Sequence, residues 1–164
     1  MPRVETRPRP ALPVAPGLVL ALDLGASRIR AALVSPDGRL HARTEGRTPG
    51  ELGPDAVVDA CIDHLRATLD AVAPADRGAI VAVGIAAPGP VDPRTGTIVD
   101  PPNMGPDIHD LALAPAVADA LGLPAVLDRD TQVAVLAEMA FGAERDARDI
   151  VYLTVSTGIG GAVL

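Results

Sequence analysis

The chain has 164 residues and a formal net charge of −7, and its 14 basic side chains are all arginine, so it contains no lysine. Walker-type phosphate sites, the ATP-pairing lysine of protein kinases and Schiff-base chemistry each need a lysine amine and are therefore excluded. The acidic balance argues against nucleic-acid and anionic-membrane partners, because both bind basic surfaces. A single cysteine, Cys61, excludes an internal disulfide and any zinc site built from several cysteines. Phosphate chemistry here must use backbone amides, hydroxyl groups, arginine or a metal ion.

Residues 1–17 are rich in arginine and proline, which is typical of a disordered tail. A signal peptide is the alternative, since arginines precede an apolar run, but Pro13 and Pro16 interrupt this run and Asp23 ends it. No apolar stretch reaches the ~20 residues that a membrane-spanning helix needs.

An antiparallel meander is predicted next. Two apolar runs, at 18–22 and 29–34, flank a tight turn at 23–27, and a more polar third strand over 39–45 is expected nearer a sheet edge. The spacing of apolar residues then changes to three and four. The elements predicted from there are a helix over 54–72, a buried strand over 79–87, a short hairpin over 91–99, a helix over 110–121, a strand over 125–127 and a helix over 131–141.

The end of the chain resembles its beginning. A shift of 132 residues brings the strand at 18–22 onto 150–154 and the turn at 23–27 onto 155–159. A real repeat would make the chain one lobe followed by the first hairpin of a second lobe, whereas the alternative is a chance similarity between two hairpins. The expected domains are a tail over 1–17, a lobe over 18–147 and the truncated start of a second lobe over 148–164.

Asp23, Gly25 and Ser27 mark the point where a buried strand gives way to a turn. Gly25 allows the backbone to approach a ligand closely, the amides after it can face phosphate oxygens, and Asp23 can hold Mg²⁺ through its waters. The alternative is an aspartate that only satisfies turn amides.

The matching turn near the end of the chain supplies a hydroxyl and glycines at Thr157, Gly158, Gly160 and Gly161. Two such hairpins facing each other would clamp the phosphates of a nucleotide without lysine. A dinucleotide-binding fingerprint is set aside, because it would require glycine in place of Val163 and a following helix.

Asp130 follows a short predicted strand and precedes a helix, at the end of the strand where ligands bind in open α/β folds. A carboxylate there can accept the proton of a substrate hydroxyl that attacks phosphorus. The alternative is a helix N-cap, which Asp130 or Thr131 would provide equally well, and the position alone favours this cap. Two proline-rich loops, at 88–92 and 101–103, could wall a pocket in which Asn103 hydrogen-bonds a polyol, although turns alone explain the prolines.

Taken in order, these motifs resemble the ROK family of bacterial sugar kinases and sugar-responsive repressors, within the actin and hexokinase superfamily. The resemblance runs from about Leu18 to Leu164. It is carried by the turn at Asp23, Gly25 and Ser27, the stretch from Gly84 to Asp92 followed by Gly96, Pro102 with Asn103, Asp130, Glu138 with Gly142 and Ala143, and the stretch from Thr154 to Gly161.

The resemblance implies an α/β fold with a ribonuclease-H-like lobe of the actin-like ATPase type, in which helices flank a mixed sheet with an antiparallel meander. It also implies ATP- and Mg²⁺-dependent phosphorylation of a hexose, with glucose the commonest substrate, by a cytoplasmic protein that is a homodimer at full length. The structural zinc site of the family is not expected in this chain.

The resemblance also assigns roles to residues. Asp130 matches the general base of the family. Sugar-binding positions fall on Gly89, Asn103, Arg129 and Asp130. Positions for ATP and its phosphates fall on Asp23, Gly25, Ser27, Thr157, Gly158, Gly160 and Gly161, with Asp23 holding Mg²⁺ through water.

The chain departs from the family pattern at Arg129, where the family has asparagine. Arg129 would either pair with Asp130 and weaken it as a base or point away from it. Gln132 and Ala26 replace a second asparagine and a turn glycine, which are milder changes. Further sugar ligands, the zinc motif and most of the adenosine pocket of the family lie beyond Leu164, so we expect the 164-residue chain alone to be inactive.

Two other functions stay open at this point. A sugar-sensing regulator or a drifted paralogue of the family would explain Arg129, but repressors of the family carry a helix-turn-helix for which residues 1–17 are too short. An acetate-kinase-like or chaperone-like ATPase of the superfamily is disfavoured by the two proline-rich loops.

Overall fold

The computed structural model describes residues 16–142, 149–155 and 159–164. The residues Thr157 and Gly158 and most of the predicted tail lie outside these ranges. The strands are β1 (Leu18–Leu24), β2 (Arg28–Val34), β3 (Leu40–Arg47), β4 (Ile80–Ala87), β5 (Val91–Asp92), β6 (Thr97–Ile98), β7 (Ala125–Arg129), β8 (Val151–Val155) and β9 (Ile159–Val163). The helices are α1 (Pro54–Asp70), α2 (Pro74–Arg77), α3 (Leu113–Leu121) and α4 (Asp130–Phe141), and a 3₁₀ turn spans Gly50–Leu52.

Five strands form one mixed sheet in the order β3-β2-β1-β4-β7. β1, β2 and β3 are an antiparallel meander, and β4 and β7 run parallel to β1. The predicted α/β lobe with its meander is therefore confirmed, and β3 lies at an edge as its polar sequence predicted. The carboxyl ends of β1, β4 and β7 meet at one edge of this sheet, which we call the carboxyl edge.

The core lies on one face of the sheet. Alternate residues of β1, namely Leu20, Leu22 and Leu24, are buried with the aliphatic residues of α1 and α3, because successive strand residues point to opposite faces. Cys61 of α1 belongs to this core, and burial raises the pKa of its thiol to about 12. Cys61 is therefore a small apolar core residue rather than a nucleophile.

Two predicted elements differ in their bounds from the observed ones, and one observed helix was not predicted. The helix predicted over 110–121 begins only at Leu113, because Asp110 has a left-handed φ of 50° and Leu111 pairs with Ile98. The strand predicted over 125–127 continues to Arg129, and α4 begins at the next residue without a loop. The short helix α2 was not predicted, since its proline and polar residues are typical of a loop.

β8 and β9 form a two-stranded hairpin that is separate from the main sheet. In its register Val155 pairs with Ile159, whereas in the first hairpin Asp23 pairs with Arg30. The two hairpins therefore do not share one register under the shift of 132 residues that relates their sequences. Ala162 is buried on the side of the hairpin that packs against α4. Among the described residues, no helix is long and apolar enough to cross a membrane.

Candidate functional site

The sheet register places two acidic residues at the same level of the carboxyl edge. Asp23 of β1 lies beside Ala86 of β4, and Ala86 lies beside Asp128 of β7. Their backbones are therefore two strand spacings apart, which is about 10 Å. Asp130 comes two residues after Asp128, so the parallel strands bring Asp23 and Asp130 to the same edge.

The turn after β1 is closed by its own backbone and anchored by a threonine. The amide of Gly25 donates to the carbonyl oxygen of Arg28 at 2.8 Å, so this amide is already used. The hydroxyl of the buried Thr48 donates to the carbonyl oxygen of Gly25 at 2.7 Å, and its amide donates to the carbonyl oxygen of Ser27 at 3.2 Å. Sequence reasoning missed Thr48, because a threonine after an edge strand carries no motif of its own.

The turn also offers groups that a phosphate could use. Within the described part of the chain, the amides of Ala26 and Ser27 donate no backbone hydrogen bond, and Ser27 is exposed. These groups are the donors of this turn that stay open to a ligand.

Asp23 contacts an arginine across the hairpin. The guanidinium Nη1 of Arg30 lies 2.9 Å from Oδ2 of Asp23, and the second oxygen, Oδ1, has no hydrogen bond to another described residue. Arg30 also lies 3.5 Å from Glu45, which Arg28 and Arg43 contact at 2.7 and 3.0 Å. The hydrogen bond with Asp23 raises the pKa of Arg30, and the hydrogen bond from Arg28 lowers the pKa of Glu45.

Asp130 is the first residue of α4, and its carboxylate is exposed. Its Oδ1 accepts a 2.6 Å hydrogen bond from the amide of Thr131. The cap residue of α4 is Arg129, whose side chain makes no capping bond. The amide of Thr131 therefore orients the carboxylate of Asp130 through Oδ1. Oδ2 accepts no hydrogen bond from any other described residue.

Arg129 points away from Asp130. Its Nη2 donates to the carbonyl oxygen of Gly161 at 2.7 Å, and it forms no ion pair with Asp130 in the described ranges. Its aliphatic stem covers Gly89, where an added Cβ would lie 2.6 Å from Cδ of Arg129. Three predicted site residues, Gly89, Arg129 and Gly161, are thus in contact around one side chain. A cavity of about 360 Å³ opens there, lined by Pro90, Val91, Pro93, Asp128, Arg129 and Gln132.

Asn103 lies in the loop between β6 and α3. Its backbone has a left-handed φ of 62°, which asparagine tolerates better than most residues, and its side chain is exposed. Met104 is buried beside it and packs against Gly50, close to the Thr48 that anchors the first turn. The structure shows no contact between Asn103 and Asp130 among the described residues, so the place of Asn103 in the sugar site stays a prediction.

Gly160 and Gly161 are the described members of the second predicted phosphate turn. Gly160 faces the side chain of Thr131, whose Oγ1 is buried without a hydrogen-bond partner in the described part of the protein. Thr157 and Gly158 lie outside the described residues, and the second half of the phosphate clamp stays a prediction.

The residues present fit one hydrated Mg²⁺ but not a protein cage for a metal. Within the described residues no group of three or more His, Cys, Asp or Glu side chains could hold a metal ion. Asp23 has a half-exposed carboxylate with one oxygen free of protein bonds. Mg²⁺ usually keeps several waters and binds through one or two carboxylates and substrate phosphates, which matches this arrangement.

Curated proteins with sequences similar to this chain include two sugar kinases. An N-acetylmannosamine kinase from Citrobacter koseri is 36% identical over 88% of this chain and 47% of its own length. A glucokinase from Streptomyces coelicolor is 32% identical over 90% of this chain and 44% of its own length. The chain therefore spans about half the length of the curated relatives it matches.

Solved structures give the same picture. A ROK family glucokinase from Streptomyces griseus, in complex with glucose and AMPPNP, superposes with a TM-score of 0.77 at 30% identity, covering 90% of this chain and 44% of that one. A ROK family transcriptional regulator, a homologue of the E. coli MLC protein, superposes with a TM-score of 0.79 at 26% identity, covering 90% of this chain and 36% of that one. The family model described as ROK family matches residues 19–164, and the chain belongs to the ROK family.

Proposed function

We propose that the protein containing this chain is an ATP-dependent hexose kinase. The observation that carries this proposal is the position of Asp23 and of Asp130 at the carboxyl edge, each with one carboxylate oxygen free of protein bonds within the described residues. The kinase names of the relatives support it.

Asp130 is assigned the proton transfer. The amide of Thr131 holds Oδ1, so Oδ2 is the oxygen that accepts the proton of the attacking sugar hydroxyl. Asn103, Gly89 and Arg129 are proposed to line the sugar site. Positioning of the hydroxyl beside the base is the main contribution of such residues to phosphoryl transfer.

The phosphate end is assigned to the first turn and its counterpart. The amides of Ala26 and Ser27 and the hydroxyl of Ser27 donate to phosphate oxygens, and Gly160 and Gly161, with Thr157 and Gly158, form the opposite side. Asp23 holds Mg²⁺ through water, and the ion, when bound, neutralises charge on the transferred phosphoryl group. The resemblance also leads us to propose two lobes, a cytoplasmic location and a homodimer for the complete protein.

The experiment is a coupled assay on the complete product of the reading frame that contains these residues. ATP and Mg²⁺ are supplied with glucose, N-acetylmannosamine or no sugar, and ADP release is followed. We expect ADP release that depends on one of the sugars, whereas release independent of every hexose would contradict the proposal. The 164-residue chain alone is expected to be inactive in the same assay.

A sugar-sensing regulator is the second candidate, and Arg129 favours it, because an arginine bound to Gly161 replaces the asparagine of the family pattern. The superposition with a ROK family regulator is consistent with this role. Calorimetry of sugar binding, taken together with the ADP assay, separates the two functions. A sensor binds the sugar without releasing ADP, whereas a kinase binds the sugar and releases ADP.

A further inference from the structure

Arg30 lies between two carboxylates on three neighbouring strands. It is paired with Asp23 of β1 on one side and with Glu45 of β3 on the other. Its Nη1 contacts Oδ2 of Asp23 at 2.9 Å and its Nε contacts Oε2 of Glu45 at 3.5 Å. One planar guanidinium therefore bridges both acids, which the single ammonium of a lysine would not reproduce.

The far side of this bridge is itself fixed. Arg28 and Arg43 hold the two oxygens of Glu45 at 2.7 and 3.0 Å. An isolated exposed ion pair restrains its side chains little, but a network of several charges on adjacent strands restrains each member. Arg30 is thus held from behind while it contacts Asp23.

The contact with Arg30 uses only one oxygen of Asp23. Oδ2 accepts the hydrogen bond from Arg30, and Oδ1 has no hydrogen bond to any described residue. The side chain of Asp23 is 50% exposed. A half-exposed carboxylate without this contact would rotate among several rotamers. With it, the carboxylate is restrained through Oδ2, and Oδ1 is the oxygen left open to a ligand.

We propose that Arg30 is a positioning residue for the hydrated Mg²⁺ of a magnesium nucleotide, acting by holding Asp23 through Oδ2 and leaving Oδ1 to the ion's water shell. This inference rests on the proposed kinase function and deepens it. Residues that orient a metal-binding group commonly change metal affinity by about 10- to 100-fold when they are replaced.

The test is the affinity for ATP, measured by calorimetry on the complete protein with and without Mg²⁺. The ratio of the two affinities is the magnesium enhancement. Arg30→Gln is expected to lower this enhancement by about tenfold. Arg43→Gln is the matched control, because it removes the same charge from Glu45 without contacting Asp23, and it is expected to leave the enhancement within about twofold of the wild type.

Two further variants separate positioning from other roles. In an Asp23→Asn background, Arg30→Gln is expected to have no further effect on the enhancement, because its action passes through Asp23. Glu45→Gln releases only the far side of Arg30 and is expected to lower the enhancement by about two- to threefold. A melting curve shows whether Arg30→Gln folds. If it does not fold, the magnesium enhancement of Glu45→Gln tests the role of Arg30 in its place.

Each outcome decides between the two proposals. An enhancement unchanged in a folded Arg30→Gln protein overturns the role of Arg30, as does a loss that persists in the Asp23→Asn background. If Arg30→Gln does not fold, an enhancement unchanged in Glu45→Gln overturns it. A wild-type protein that binds no ATP under either condition contradicts the kinase function itself, and the role of Arg30 falls with it.

Discussion

The guanidinium of Arg129 donates a 2.7 Å hydrogen bond to the carbonyl oxygen of Gly161. This bond joins the end of β7 to the β8–β9 hairpin, across 32 residues of sequence. Arg129 is therefore occupied by the hairpin instead of by the carboxylate of Asp130. Arg129 therefore does not pair with the proposed base, and it links β7 to the β8–β9 hairpin instead.

Replacing Arg129 by asparagine removes this link. We expect the amides of β8 and β9 to exchange with solvent roughly five times faster in Arg129→Asn, because a charged donor to a carbonyl is lost at a partly exposed site. Hydrogen exchange read by mass spectrometry or NMR measures this. Arg94→Asn is the control, since Arg94 is exposed and its ion pair within the described residues is with Asp92. Equal exchange in both variants would show that the link contributes nothing.

Gly89 is predicted to depend on Arg129. A Cβ at position 89 would lie 2.6 Å from Cδ of Arg129, so Gly89→Ala displaces the arginine stem and with it the bond to Gly161. We expect Gly89→Ala to loosen the hairpin as much as Arg129→Ala does, and the double variant to add nothing further. The same exchange measurement reports all three, and additive effects would refute the coupling.

Gly50 is predicted to hold the loop that carries Asn103. A Cβ there would lie 1.7 Å from the carbonyl oxygen of Met104, and backbone cannot move away as a flexible side chain can. Gly50→Ala is expected to lower the free energy of unfolding by about 2 kcal/mol or more and to weaken sugar binding. Urea denaturation and sugar calorimetry measure the two effects.

Gly78→Ala is the matched control for this change. Gly78 has no atom within 4 Å of the added Cβ and a helical φ of −67°. It is expected to leave the stability within about 0.5 kcal/mol of the wild type or to raise it slightly. A Gly50→Ala protein as stable as Gly78→Ala would show that the loop is not anchored at Gly50.

The main sheet follows from the sequence because its causes are local. Apolar runs and the turn at 23–27 define the meander, and the parallel strands then bring Asp23 and Asp130 to one edge. The direction of the Arg129 side chain could not be predicted, because its partner Gly161 lies in another hairpin. Thr48 was missed for the same reason, since only the folded turn presents the carbonyl of Gly25 to it.

Helix boundaries failed where backbone conformation overrode the apolar pattern. The left-handed φ of Asp110 and the pairing of Leu111 with Ile98 delay the start of α3 to Leu113. Neither feature has a signature in the spacing of apolar residues. The periodicity identified the helix but could not give its first turn.

Acid is expected to weaken the network around Glu45. Its pKa is held below the ordinary value of 4.5, chiefly by the hydrogen bond from Arg28, so the folded state favours the charged carboxylate. The stability it contributes is present above pH 4.5 and is lost as the pH falls through the lowered pKa of the folded state. Glu45→Gln should therefore unfold at lower urea than the wild type at pH 7, and the difference between the two midpoints should be smaller near pH 3.

Glu51→Gln serves as the control, because Glu51 forms no ion pair in the described part of the chain. Its urea midpoint should follow that of the wild type at both pH values. A Glu45→Gln midpoint that also follows the wild type throughout would mean that the arginines around Glu45 do not stabilise the fold.

The most direct test of the account is the comparison of two neighbouring aspartates in the sugar-dependent ADP assay on the complete protein. Both aspartates accept the amide of the next residue through Oδ1, Asp130 at 2.6 Å and Asp128 at 2.7 Å. They differ in position, because Asp130 is exposed at the start of α4 whereas Asp128 is half-buried within β7. Asp130→Asn is expected to lower kcat by about 10²- to 10⁴-fold with the fold unchanged, and Asp128→Asn by less than about fivefold. Full activity in Asp130→Asn would contradict the assignment of the base and with it the proposed mechanism.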